Sequence, residues 1–171
     1  MQTFTRLLFA IATTLACSAT MAQTGKPRVS PAQTVSYKVK DARITINYSS
    51  PSVRDRNIWG WLVPYDKVWR AGANEATTFE TNKDITVAGK PLPAGKYGFF
   101  LIPRTTGPWI AVFNTVADQW GAFKYDSTKD QLRVDVFPRV TADSMEVLAY
   151  NITNDGFSLS WEKLVIPVPV N

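Results

Sequence analysis

The densest group of side chains that could perform chemistry or bind a ligand lies in residues 59–78, which we call the Trp-rich loop. It places three of the six tryptophans beside an arginine, an asparagine and a glutamate: Trp59, Trp61, Trp69, Arg70, Asn74 and Glu75. An arginine presents a planar fork of donors that suits a carboxylate or phosphate, and an amide and a carboxylate orient polar groups. With indole rings as an apolar wall, this combination indicates a site for a carbohydrate or small polar ligand.

Four residues elsewhere in the chain are candidates for the same site. Arg54 and Arg56 follow the second predicted strand, and Asn114 and Trp120 lie in later loops. Each has a structural alternative, because surface arginines, turn-capping amides and packed indoles are common. For the leading group, the alternative is an internal pair between Arg70 and Glu75 that pins the irregular loop to the fold.

The composition excludes several classes of chemistry. Histidine is absent and Cys17 is the only cysteine, so Ser-His-Asp and Cys-His nucleophile systems are excluded, as is a zinc site of imidazole and thiolate ligands. The chain has no glycine-rich phosphate loop. The formal net charge of +5 is dispersed rather than gathered in runs, which argues against nucleic acid. We expect no cofactor, no metal and no nucleic-acid partner.

The first 22 residues are typical of a secretory signal peptide. Arg6 precedes an apolar run at residues 7–16, and small and polar residues lead to a predicted cleavage point after Ala22. A run of this length is too short to span a bilayer, which needs about 20 residues. We therefore expect an exported protein, periplasmic or extracellular. Lipidation of Cys17 is the alternative that would attach the chain to a membrane.

After a leader at residues 23–33, apolar and polar residues alternate with a period of two, which is typical of half-buried strands. Residues 96–102 are apolar on both faces and predict a central strand. Residues 154–156, Asn-Asp-Gly, predict a hairpin, and Pro167 and Pro169 demand an edge position for the last strand. The pattern predicts a single antiparallel all-β sandwich over residues 34–171, with about nine short strands and the long Trp-rich loop.

Several short sequence segments of the chain carry a family resemblance. The most specific is Trp-Arg-Ala-Gly-Ala-Asn-Glu-Ala-Thr at residues 69–77, and others lie at residues 48–56, 62–65, 89–97, 102–103, 113–114, 120–121 and 132–134. In these segments the chain resembles the bacterial family DUF2911, from about residue 29 to 168. The resemblance implies an exported bacterial protein and no particular activity. Where the family often has glycine between the two arginines, this chain has Asp55, which alters the freedom of that loop.

Three functions are consistent with these observations, and we favour the first. It is a non-enzymatic module that binds a carbohydrate or small polar ligand at the Trp-rich loop. The second is a structural or interaction protein of the cell envelope, in which the loop serves only to lock the fold. The third is a glycan hydrolase with Glu75 as acid or base and Asp66 or Asp55 as second carboxylate; such pairs lie about 5–10 Å apart.

Overall fold

The computed structural model describes residues 27–171. It shows an all-β chain, as predicted, with ten strands: β1 (Ala32–Val39), β2 (Ala42–Ser49), β3 (Thr77–Thr81), β4 (Ile85–Val87), β5 (Lys90–Leu92), β6 (Gly95–Ile102), β7 (Trp109–Asn114), β8 (Asp130–Val136), β9 (Arg139–Thr153) and β10 (Gly156–Pro169). Residues 90–92 form a strand that the sequence pattern did not predict. The alternation predicts separate strands at residues 157–161 and 164–170, and the structure joins nearly all of both in one continuous strand, β10. The predicted signal peptide and Cys17 lie outside the described residues.

Six strands form one antiparallel sheet in the order β1-β2-β3-β6-β7-β8. The prediction that residues 96–102 form a central strand is confirmed, because β6 pairs with β3 on one side and with β7 on the other. Its Phe99 and Leu101 belong to the main hydrophobic core, whereas Phe100 and Ile102 pack in a smaller cluster with Val112. The sheet is therefore covered on both faces at its centre.

The second layer is a long hairpin of β9 and β10. Its buried side chains, including Leu148, Phe157 and Trp161, share the main core with Ile46 and Phe79 of the sheet. The hairpin therefore covers one face of the sheet, which gives the two-layered antiparallel arrangement of a sandwich.

The predicted hairpin turn is also present, because Thr153 pairs with Gly156 across a two-residue loop. The ladder of β9 and β10 ends at the pair Val165–Arg139. Pro167 and Pro169 therefore lie beyond it, as expected for residues that disrupt regular strand pairing.

Strand β1 begins at Ala32, two residues inside the predicted leader. No helix within residues 27–171 combines the length and apolar character that crossing a membrane requires.

Candidate functional site

The Trp-rich loop is attached to both layers of the fold. Trp69 exchanges two backbone hydrogen bonds with Leu101 of β6, at 2.8 and 2.9 Å. Two residues further on, the carbonyl of Ala71 accepts a hydrogen bond of 2.8 Å from the buried Tyr150 hydroxyl of β9. Because the backbone is held on either side of Arg70, the position from which the Arg70 side chain extends is fixed by the sheet and the hairpin together.

A second segment, residues 51–56, lies along β9 and brings further arginines to the same region. Val53 donates a 2.7 Å backbone hydrogen bond to the carbonyl of Glu146, and the backbone N–H of Arg54 donates to the Glu146 carboxylate at 3.0 Å. Asp55 has a φ of 54°, a left-handed conformation that glycine adopts readily. The loop thus takes a shape that a glycine at this position would also permit.

These two segments enclose a cavity of about 320 Å³, which we call the arginine cavity. Its lining includes three arginines, an asparagine and two tryptophans: Arg54, Arg56, Arg70, Asn74, Trp69 and Trp161. Among the described residues, no aspartate or glutamate lines it. The structure therefore gathers five of the residues expected from sequence around a site whose formal charge is positive.

Arg70 is the most unusual residue of this cavity. Its Nε is buried and donates to no acceptor in the part of the chain that the structure describes, and burial lowers the pKa of its guanidinium. The indole Nε1 of Trp161, which lines the same cavity, is likewise buried and has no partner among the described residues. Nearly all buried polar groups in native proteins are hydrogen-bonded. The arginine cavity therefore differs from the ordinary core, because two of its lining residues carry buried donors without partners among the described residues.

Arg56 is exposed but held in place. Its Nε donates to the carbonyl of Val53 at 2.9 Å, and its Nη2 donates to the carbonyl of Ser52 at 2.6 Å. Two bonds to the backbone restrict the guanidinium plane, so less side-chain entropy would be lost when this arginine meets a ligand. Asn74 is held similarly, because its Nδ2 donates to the carbonyl of Ser30 at 3.1 Å.

Four tryptophans pack into one cluster beside the cavity. Trp69 stacks on Trp161 with ring centroids 5.8 Å apart and planes 15° apart, and Trp59 meets both rings and Trp109 edge-on. Trp109 and Trp161 lie on predicted strands with apolar neighbours in sequence, which predicts a place in the core, and both are buried. Trp69 is buried as well, so this ring serves mainly as a packed wall of the arginine cavity.

Trp61 differs from these four rings because 79% of it is exposed. It lines a smaller cavity of about 260 Å³, the Trp61 cavity, together with Arg56, Asn57, Trp59 and Glu162. Arg56 lines both cavities. The two cavities are therefore neighbours that share one arginine in their walls.

Glu75 does not line the arginine cavity with Arg70 but lies in a separate groove. Its carboxylate accepts a 2.8 Å hydrogen bond from Nη1 of Arg28, and both side chains are about half exposed. The internal Arg70–Glu75 pair, considered above as a structural clamp, is therefore not formed. Glu75 lines a groove of about 600 Å³ that also contains an ion pair between Lys96 and Asp118.

The Arg28–Glu75 pair is expected to contribute little to stability. The pKa of Glu75 lies below its ordinary value of 4.5, first because the carboxylate accepts its own backbone N–H and then because of Arg28. A lowered carboxyl pKa stabilises the fold at neutral pH, and that contribution disappears as the pH falls through the folded-state pKa. Because the pair is exposed, Glu75→Gln should lower the free energy of unfolding at pH 7 by less than about 1 kcal/mol in urea titrations. A loss of several kcal/mol would contradict this expectation.

Asn114 and Trp120 are not brought to either cavity. The Nδ2 of the buried Asn114 donates to Oδ1 of Asp130 at 2.7 Å, and its Oδ1 accepts the backbone N–H of Val116 at 2.9 Å, so it organises the turn after β7. Trp120 is 60% exposed and pairs through its backbone with Glu75.

Several residues that line the cavities were not among the site residues expected from sequence. They include Asn57 and Glu162 of the Trp61 cavity, and Trp161 of the arginine cavity, which was expected only in the core. Alternation along β10 does indicate that Trp161 points inward. Nothing local relates residues 161 and 162 to the Trp-rich loop, because only the packing of the hairpin on the sheet brings them together.

Comparison with known proteins gives a family and no characterised relative. A sequence model of the family described as "Protein of unknown function (DUF2911)" matches residues 30–170. No curated protein and no solved structure matches the chain. Since the match spans nearly all of the residues that the structure describes, this chain belongs to the DUF2911 family.

Proposed function

We propose that this protein is an exported, non-enzymatic binding module that holds a small polar ligand with an anionic group, such as an acidic carbohydrate or another carboxylate or phosphate, in the arginine cavity. The observation that carries the proposal is the half-buried Arg70, whose Nε has no hydrogen-bond partner within residues 27–171, in a cavity that Arg54 and Arg56 also line. Among the described residues, no carboxylate lines this cavity to offset their charge.

The electrostatics favour an anion over a neutral ligand. Burial removes part of the hydration of Arg70, which is why its pKa is lowered. A carboxylate or phosphate oxygen would restore a hydrogen bond and offset the charge at the same time, and such charge-assisted bonds are stronger than neutral ones. The volume of about 320 Å³ lies near the lower end of the range of about 300–1,000 Å³ for ligand pockets, which favours a small ligand.

The larger groove beside Glu75 is less suited to this role. Its charged side chains, Arg28, Glu75, Lys96 and Asp118, form two ion pairs at 2.8 and 3.0 Å. Charges that are already paired gain little from an added ligand of either sign. Of these two sites, the arginine cavity is therefore the one whose positive charge has no acidic counterpart among the described lining residues.

Hydrolysis of a glycan by Glu75 receives no support from the geometry. Glu75 is paired with Arg28, and Asp66, its first suggested partner, is paired with Arg104 at 2.7 Å. Asp55 is exposed and does not line the arginine cavity. A two-carboxylate mechanism needs both groups to flank one bond of the substrate.

The Arg70→Met substitution tests the proposal directly. Inorganic phosphate and citrate are expected to bind the purified protein in isothermal titration calorimetry, more weakly as salt is added. Because hydrogen bonds to charged groups contribute about 1.5–3 kcal/mol, Arg70→Met should weaken binding about 10- to 100-fold. The melting temperature should stay constant or rise, since the substitution removes a partly desolvated charge that has no ion-pair partner among the residues that the structure describes.

Arg43→Met is the matched control, because Arg43 is exposed on β2, outside all three cavities described here, and the substitution removes the same charge. It should leave anion binding unchanged. Equal weakening by both variants would mean that only the net charge matters. If no anion binds and Arg70→Met melts much lower than wild type, Arg70 is a structural residue of an envelope protein and the proposal fails.

A further inference from the structure

The arginine cavity and the Trp61 cavity are linked at two points. Arg56 lines both, and the consecutive residues Trp161 and Glu162 of β10 line one cavity each. We propose that the two cavities are subsites for one ligand, an acidic hexose whose carboxylate or phosphate lies among the arginines and whose ring lies against Trp61. This inference rests on the proposed function, because it assigns the class of ligand to the same site.

The Trp61 cavity has the surfaces that a sugar ring requires. Isolated exposed apolar side chains are ordinary on protein surfaces and need no explanation. Trp61, however, is 79% exposed and lines a cavity whose other walls are largely polar. An indole face can cover the C–H face of a pyranose, while polar groups at the rim meet its hydroxyls.

The polar groups around this ring complement hydroxyl groups. The indole Nε1 of Trp59 is buried and finds no acceptor in residues 27–171. The Asn57 amide both donates and accepts, and the Glu162 carboxylate accepts. A hydroxyl can donate to a carboxylate and accept from an indole N–H, so these three groups match a polyhydroxylated ligand better than an apolar one.

The backbone of β10 is distorted where it contributes to the cavities. The pairing of β10 with β9 shifts register on either side of Glu162, and the φ of Glu162 is 53°. Bulges of this kind redirect side chains and are frequent beside functional sites, and a left-handed glutamate is a strained conformation. The irregularity separates Trp161, which points into the arginine cavity, from Glu162, which lines the neighbouring one.

The charges of the two subsites set the orientation of the ligand. Three arginines line one cavity and no acidic residue among residues 27–171 does, whereas both Arg56 and Glu162 line the other. Glu162 would repel an anionic group from the Trp61 subsite and accept hydrogen bonds from neutral hydroxyls there. The anionic end of the ligand therefore belongs among the arginines and its hydroxylated ring beside Trp61.

Calorimetry with a matched set of probes tests the assignment: glucuronic acid, glucose 6-phosphate, glucose, acetate and inorganic phosphate. Each acidic sugar is expected to bind about tenfold or more tightly than both glucose and the corresponding simple anion, since it fills both subsites. Trp61→Ala should reduce the affinity for an acidic sugar to that for the simple anion and leave phosphate binding unchanged. The tighter of the two acidic sugars identifies the anionic group.

Trp120→Ala is the control, because it removes an indole that is also exposed but lies outside both cavities. It should change none of these affinities. If acidic sugars bind no more tightly than simple anions, and Trp61→Ala has no effect, the inference is wrong while the proposed anion site stands. If neither acidic sugars nor simple anions bind, both the inference and the proposed function are wrong.

Discussion

The Gly156→Ala substitution is expected to destabilise the fold by about 3 kcal/mol or more, among the largest effects of a single methyl group. Gly156 opens β10 with a φ of 132°. A Cβ there would overlap the carbonyl oxygen of Val168 and lie 2.7 Å from the backbone nitrogen of Val170. These are backbone atoms, so the clash cannot be relieved by rotating a side chain. The urea midpoint and melting temperature measure the effect.

The Gly107→Ala variant is the control, because it measures the cost of the backbone conformation without a steric clash. Gly107 also has a positive φ, 77°, but an added Cβ would meet no atom within 4 Å. Only the cost of a left-handed alanine remains, about 1–2 kcal/mol. If both variants lose a similar amount of unfolding free energy, the expectation is wrong. Such a result would mean that the end of β10 moves freely away from the hairpin turn.

The Trp161→Ala substitution should be comparably severe. Trp161 is 1% exposed and contacts the rings of Trp59 and Trp69. Replacing a buried phenylalanine or tryptophan by alanine typically costs about 3–5 kcal/mol, because the cavity left behind collapses only in part. Chemical unfolding monitored by far-UV circular dichroism gives this value without relying on tryptophan fluorescence.

Trp161→Phe accompanies this measurement, because it keeps a ring in the core but removes the indole N–H. It should cost less stability than the alanine variant. Since the wall of the arginine cavity is reshaped in both, each should also bind phosphate more weakly than wild type. Unchanged phosphate binding in the alanine variant would show that the cavity does not depend on this ring.

The elements of the fold could be predicted from sequence because their signals are local. The alternation in β2, the apolar run of β6 and the turn before Gly156 each depend on residues close together in the chain. The continuity of β10 could not be predicted, because its register shifts around Glu162 interrupt the alternation. Strand β5 was missed because it has only three residues and includes Pro91.

The candidate site was predictable in composition but not in arrangement. Arg70 and Glu75 are only five positions apart in the chain, which suggests that the two side chains can meet. In the structure, Ala71 and Asn74 take positive φ values of 50° and 56°, which reverse the chain and send Glu75 toward Arg28. Such conformations are uncommon for residues other than glycine, and the residue types do not reveal them.

The convergence of distant segments has no sequence signal at all. Arg54 and Arg70 lie on separate loops, and Trp161 follows about 90 residues after Arg70. They meet because residues 51–54 run along β9 and the Trp-rich loop is bonded to β6 and β9. Side-chain chemistry identified the candidates, whereas the packing of the two layers determined which of them share a cavity.

The attachment of the Trp-rich loop to both layers has a consequence for local opening. Trp69 is bonded to Leu101 of the sheet, and Ala71 is bonded to Tyr150 of the hairpin, with one residue between them. Because only Arg70 lies between the two connections, the layers cannot separate at this point without breaking at least one of them. The opening free energies of the sheet centre and the hairpin are thereby coupled, and this part of the molecule behaves as one cooperative unit rather than as two layers with a mobile loop.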